Sequence, residues 1–262
     1  MKAKSASSVL IFGASGAIGS ALCTLFQVRG WNVIAVTRSG HSKQAGESIR
    51  WLSWDVGRPD GVFDELKPSI LDAAVWAQGM NFNDDVRSFD SARHRAMYSA
   101  NVVYIIESLH ALLGRRLLAA GSRLCIVSSI WQNLARQNKL SYCVTKSAIE
   151  GLVRSLSIDL GAENILVNAV LPGALDTPMT HANLTSAQIE SLRGATPLGS
   201  LPSLEDVCGL VGFLCSPDNS GVTGQFVAAD RGFSHVRIIT AVRLKPIWPR
   251  ATYCDLDMFW QF

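Results

Sequence analysis

A short apolar run, Ser8-Val-Leu-Ile-Phe12, breaks directly into Gly13-Ala14-Ser15-Gly16-Ala17-Ile18-Gly19. The run predicts a buried strand, and the apolar spacing from Ala17 to Arg29, closed by Gly30, predicts a helix behind it. A glycine-rich turn between strand and helix allows close backbone approach and offers free N–H groups at the positive end of a helix dipole. That combination suits a phosphate or pyrophosphate. The competing structural reading is a tight turn with close helix–strand packing.

The same rhythm continues outward. Val33–Thr37, Ile49–Trp54, Leu71–Ala77, Leu124–Ser128, Ile165–Val170 and Gln225–Ala229 read as strands. Helical stretches lie between them, at 59 onward, Asp84–Leu118, Ser141–Leu160 and Leu204–Cys215. Strands rich in β-branched residues alternating with helices predict a doubly wound α/β domain, a seven-stranded parallel sheet with helices on both faces. Residues 174–203, with three prolines and many small polar residues, predict a mobile loop carrying a short helix. Residues 235–262 turn basic and then aromatic and lie beyond the expected domain of 1–234. Their tryptophans, with Pro246 and Pro249, predict an irregular arm folded back on the protein.

Composition narrows the class. The 262 residues are 48% hydrophobic and 17% charged, with mean hydropathy +0.20 and a net charge of +3. Disorder is excluded, and scattered basic residues give no nucleic-acid footprint. Six cysteines, at 23, 125, 143, 208, 215 and 254, include no CxxC, so neither a zinc site nor a disulfide framework is expected. The five histidines show no metal-ligand spacing, so no metal is expected. Reduced thiols and the lack of a continuous apolar run of ~18 residues predict a cytoplasmic protein with no membrane segment.

The second strand ends Thr37-Arg38-Ser39, where an acidic residue would suit the ribose 2′-hydroxyl of NAD. A guanidinium there suits a 2′-phosphate instead, which predicts NADP(H) over NAD(H), with Ser39 and Lys43 as helpers. Farther on, Tyr142-Cys-Val-Thr-Lys146 puts a phenol and an ammonium on one helix face, with Ser129 ending a strand upstream and Asn101 in the preceding helix. Taken alone, such a pair is commonly just a half-exposed tyrosine and its lysine.

Together these motifs resemble the short-chain dehydrogenase/reductase family, compact single-domain branch, from Ser8 to Phe233. The resemblance implies a Rossmann-type fold and a catalytic set of Asn101, Ser129, Tyr142 and Lys146. It implies cofactor contacts at Gly13, Ser15, Gly16, Ala17, Ile18, Gly19, Thr37, Arg38, Ser39, Asp55, Val56, Ala77, Gly79, Tyr142, Lys146, Pro172, Gly173, Leu175 and Thr177. Two departures stand out. The loop reads GxxGxxG, as in the extended nucleotide-sugar branch, and an Asn-Asn-Ala-Gly motif is replaced by Trp76-Ala77-Gln78-Gly79. Hence the alternatives are a nucleotide-sugar epimerase or dehydratase and a catalytically idle dinucleotide-binding scaffold.

The implied chemistry is interconversion of a small carbonyl compound and a secondary alcohol. Tyr142 would move the proton, its pKa lowered by Lys146 together with the positive charge of oxidised nicotinamide; Ser129 would bind the substrate oxygen, and Asn101 would hold a water linking Lys146 to solvent. Trp131 follows the serine, either shaping a pocket or filling core. A homodimer or homotetramer is expected through the long helices, whose Val103, Leu112 and Leu156 lie beyond a single apolar stripe.

Overall fold

Along β1 (Ser8–Phe12) alternate side chains enter two different cores. Leu10 and Phe12 join one with Trp76 and Leu109, and Val9 and Ile11 join the other with Leu22 and Val211. A strand with both faces covered must be apolar throughout, which is why the sequence shows a run rather than an alternation. The computed structural model describes residues 6–39, 49–67, 69–177, 180–181 and 184–235. Lys43, His41, Cys254 and the aromatic tail with Pro246 and Pro249 lie outside the described residues.

The other strands are β2 (Asn32–Thr37), β3 (Arg50–Ser53), β4 (Leu71–Trp76), β5 (Leu118–Val127), β6 (Leu166–Pro172) and β7 (Phe226–Ala229). Every pairing is parallel, in the order β3-β2-β1-β4-β5-β6-β7. The chain leaves β1 toward β2 on one side and later resumes at β4 on the other. The crevice where the order reverses, at the carboxyl ends of β1 and β4, is where such sheets bind ligands.

Helices α1 (Ala17–Val28), α2 (Ser91–Tyr98), α3 (Tyr104–Gly114), α4 (Leu140–Asp159), α5 (Ser186–Ala195) and α6 (Leu204–Leu214) cover the sheet and the loop after β6. The helix expected from Asp84 begins only at Ser91. Asp90 caps it, its carboxylate accepting from the N–H groups of Ala92 at 2.8 Å and Arg93 at 3.0 Å. Asp84 itself bridges to Lys139. Between α2 and α3 the chain widens into a π turn, Ser99–Val103. As a continuous helix, Ser91–Gly114 is long and apolar enough by length and composition to cross a membrane. Half of that window is buried within the domain.

Strand β5 starts six residues earlier than expected, with a register shift between Leu71 and Ala73 of its partner strand. The expected apolar excess on the long helices also changes. Leu112 is fully buried in its own core and Leu156 packs against it, so neither requires a second chain. The exposed apolar residues there include Ile106, Val144 and Ile158.

Candidate active site

The glycine turn is held to the sheet by its own backbone. The N–H groups of Gly13 and Ala14 both donate to Val36 O, at 3.0 and 3.2 Å. A Cβ on Gly19 would lie 2.2 Å from Gly13 O, and one on Gly13 (φ +73°) 2.5 Å from Gln78 N. Those two glycines are therefore demanded by packing, as the structural reading of the motif held. The third has another character. Gly16 caps α1 without any side-chain bond, and Ser15, Gly16 and Ala17 are exposed. The first-turn N–H groups of a helix have no intrahelical partner, so this end stands open to an anion.

Beside this turn lies Gln78, whose amide Nε2 and Oε1 are both buried without a hydrogen-bond partner. A buried unmatched polar atom costs about 1–3 kcal/mol, so a ligand that meets the amide would relieve it. The replaced asparagine motif does not loosen the sheet. Trp76 stacks on Phe12 with ring centroids 5.4 Å apart and donates from Nε1 to Ser108 Oγ at 2.8 Å.

The four candidate catalytic residues converge at the carboxyl ends of β4 and β5. Ser129 follows β5 and is buried; its Oγ accepts from Trp131 N–H at 3.3 Å and lies beside the Tyr142 hydroxyl. Tyr142 keeps partial exposure as a residue, but burial of its hydroxyl pushes the phenol up to about 12, against a smaller lowering by the Ser129 hydroxyl. Lys146, one helical turn on, donates from Nζ to Val127 O at 3.1 Å, and burial brings it down to about 8. In the free protein the phenol is thus raised, because desolvation outweighs the lowering by the Ser129 hydroxyl.

Asn101 sits in the π turn and is almost wholly buried. Its Oδ1 accepts from Met80 N–H at 2.7 Å, and Nδ2 donates to Met80 O at 3.0 Å and Thr145 Oγ1 at 2.9 Å. Those bonds make the side chain a strut between the β4 loop and α4. A Cβ on Gly79 would lie 3.4 Å from Asn101 Oδ1 and 3.9 Å from Lys146 Nζ, so this glycine keeps the space above both open.

At the end of β2, Thr37 is buried with its hydroxyl bonded to Ser39 O, while Arg38 and Ser39 are exposed. Arg58, which the sequence reading missed, donates to Arg38 O at 3.3 Å and brings a second guanidinium to this edge. Asp55 accepts from Val56 N–H at 2.9 Å. On the opposite flank, Pro172 ends β6, Gly173 N–H donates to Ala229 O at 3.2 Å, Leu175 packs on the core, and Thr177 is buried against Thr180. Ala77 N–H donates to Phe12 O at 3.0 Å, and Ile18 also packs on the core.

Three further residues support α4. Asp84 accepts from Ser141 N–H at 3.0 Å and from its hydroxyl, His94 Nδ1 lies 2.8 Å from the same hydroxyl, and Lys139 Nζ donates to Asn81 Oδ1 at 2.7 Å. None shows a motif, because each partner is distant in sequence.

Residues 13–234 match the family model described as enoyl-(acyl carrier protein) reductase. The chain belongs to the short-chain dehydrogenase/reductase family. Several family relatives align along nearly their whole length. The chain is 30% identical over 244 residues to cis-4-hydroxycyclohexanecarboxylate dehydrogenase of Sinomonas cyclohexanicum, covering 87% of this chain and 96% of that one. It is 25% identical over 239 residues to a 3-oxoacyl-[acyl-carrier-protein] reductase of Chlamydia trachomatis, covering 86% and 96%. The crystal structure of a gluconate 5-dehydrogenase from Burkholderia cenocepacia, in complex with NADP and tartrate, shares the fold. Its TM-score is 0.80, with 22% identity, covering 88% of this chain and 96% of that one. The open α1 terminus, the orphaned Gln78 amide and the space kept by Gly79 fit a nicotinamide dinucleotide.

Proposed function

We propose that this family member is an NADP(H)-dependent oxidoreductase interconverting a carbonyl and a secondary alcohol. The observation that carries the reading is the placing of the Ser129 and Tyr142 hydroxyls beside each other, with Lys146 one turn away on α4. A carbonyl that gains hydride develops charge on oxygen and needs a proton there. In this reading Ser129 binds that oxygen and Tyr142 delivers the proton. A phenol held near 12 enters the reduction direction protonated, as a donor must. The oxidation direction needs positive charge beside it, which Lys146 supplies when protonated. The nicotinamide supplies or accepts the hydride when bound.

NADP(H) is preferred in this reading because Arg38 and Arg58 flank the end of β2 and no acid stands at Thr37. The 3-oxoacyl reductase and the hydroxycyclohexanecarboxylate dehydrogenase both bear names of carbonyl–alcohol chemistry, which supports it further. The test is a panel of ketones and secondary alcohols followed by reduced-nicotinamide absorbance, with NADP(H) and NAD(H) in parallel. Turnover that survives Tyr142→Phe, or none with either cofactor, would overturn the reading.

A further inference from the structure

Helix α4, which carries Tyr142 and Lys146, is fastened at its start by a residue from another part of the chain. Its own N-cap residue, Lys139, makes no side-chain cap bond, and its first turn holds no acid. Asn138, just before, stands in the left-handed region at φ +59°. Asp84, in the loop after β4, supplies what the helix lacks. Its main chain donates from N–H to Asn138 O and accepts from Leu140 N–H, each at 3.2 Å. Its carboxylate accepts from Ser141 N–H at 3.0 Å and from the Ser141 hydroxyl. A carboxylate at the positive end of a helix gains from the hydrogen bonds and from the dipole together.

Asp84 is only 5% exposed and Ser141 is closed to solvent, so water is a poor substitute for the carboxylate. A carboxylate only accepts, so the single hydroxyl proton of Ser141 points at Asp84. His94 Nδ1, 2.8 Å from the same hydroxyl, must then be the N–H that donates to it. Lys139 ties the same loop again, its Nζ donating to Asn81 Oδ1 at 2.7 Å and Phe82 O at 3.4 Å. At the near end of that loop, Asn101 grips both backbone groups of Met80. The loop is therefore fixed to the π turn by Asn101 and to the first turn of α4 by Asp84. Tyr142 follows Ser141 directly, whereas Ser129 belongs to the end of β5. The Asp84 bonds thus help set where the phenol stands relative to the Ser129 hydroxyl.

We propose that Asp84 is a positioning residue for Tyr142, acting through the first turn of α4. The proposal rests on the oxidoreductase reading for its effect on turnover, but the placing of the phenol can be read without turnover. Asp84→Ala removes both side-chain acceptors, and Asp84→Asn keeps one. With an accepted alcohol and NADP⁺, Asp84→Ala should lower kcat at least about tenfold, since a shift of ~1 Å can cost about 10²-fold. KM and NADP⁺ affinity should stay within about threefold, and Asp84→Asn should recover part of kcat. An unchanged kcat in Asp84→Ala, or a loss confined to KM, would overturn the proposal. Independently, NMR of the full chain labelled with carbon-13 at tyrosine Cζ gives Tyr142 its own signal, identified by its loss in Tyr142→Phe. Asp84→Ala should displace that signal more than any other tyrosine signal, and an unmoved Tyr142 signal would overturn the proposal. Ser141→Ala removes only the hydroxyl bond and should displace it by less; it carries the same reading should Asp84→Ala fail to fold. If the unaltered protein turns over no ketone or alcohol with either cofactor, the oxidoreductase reading falls, and the tyrosine signal still decides whether Asp84 places Tyr142.

Discussion

Asn101 Nδ2 donates to Thr145 Oγ1 at 2.9 Å, tying the π turn of one helix to the residue preceding Lys146 on another. Thr145 in turn donates from its hydroxyl to Tyr142 O at 3.0 Å, so the bond reaches the segment that carries both Tyr142 and Lys146. Thr145→Val keeps the shape and removes the hydroxyl. It should cost about 1 kcal/mol in urea unfolding, since Asn101 Nδ2 retains Met80 O. Asn101→Ala should cost more, about 2–3 kcal/mol, because it also strands the Met80 N–H and carbonyl. Equal effects would show that Met80 does not depend on Asn101.

Tyr142→Phe removes only a hydroxyl from the ring. Turnover on any accepted substrate should fall at least about 100-fold, with NADP(H) affinity within a few-fold of the unaltered protein. Fluorescence titration and absorbance kinetics separate the two quantities.

Lys146 stands near 8 in the folded protein against 10.5 when unfolded. Between those values the unfolded chain binds more protons, so stability rises with pH across that window. Without cofactor, the protein should gain up to about 3 kcal/mol relative to Lys146→Met between pH 8 and 10.5. Tyr142 is common to both proteins, so its own titration cancels in the comparison. A difference independent of pH would show that the lysine is not held depressed.

Gln78→Leu should raise the thermal midpoint of the cofactor-free protein, because it removes two unmatched buried atoms. The stabilisation conferred by NADP(H) should shrink in the same variant. If the free protein is destabilised instead, the amide has partners of its own.

Arg38→Ala should weaken NADPH by roughly 10–100-fold and leave NADH nearly unchanged, the loss expected for one charge-assisted phosphate contact. Arg58→Ala should move the same preference in the same direction by a smaller factor. Titration of both cofactors checks each variant, and equal losses for NADH would remove these residues from cofactor choice.

Most of the architecture was legible before any coordinates. Val9 to Phe12 must be apolar at every position because both faces of β1 are covered, and the glycine turn must follow because β1 runs straight into α1. The Tyr142–Lys146 spacing is equally local, fixed by one turn of helix. What sequence left open depended on contacts distant along the chain. The bonds that Asn101 makes to Met80 and Thr145, the second of them 44 positions away, leave no mark in the sequence. Leu112 looked like interface and is core, because helical periodicity reports how many faces are apolar but not what covers each one. The direction of the Tyr142 shift likewise belonged to the fold. A motif places a lysine near a phenol, but only tertiary packing sets how far each is removed from water, and here desolvation is the larger effect.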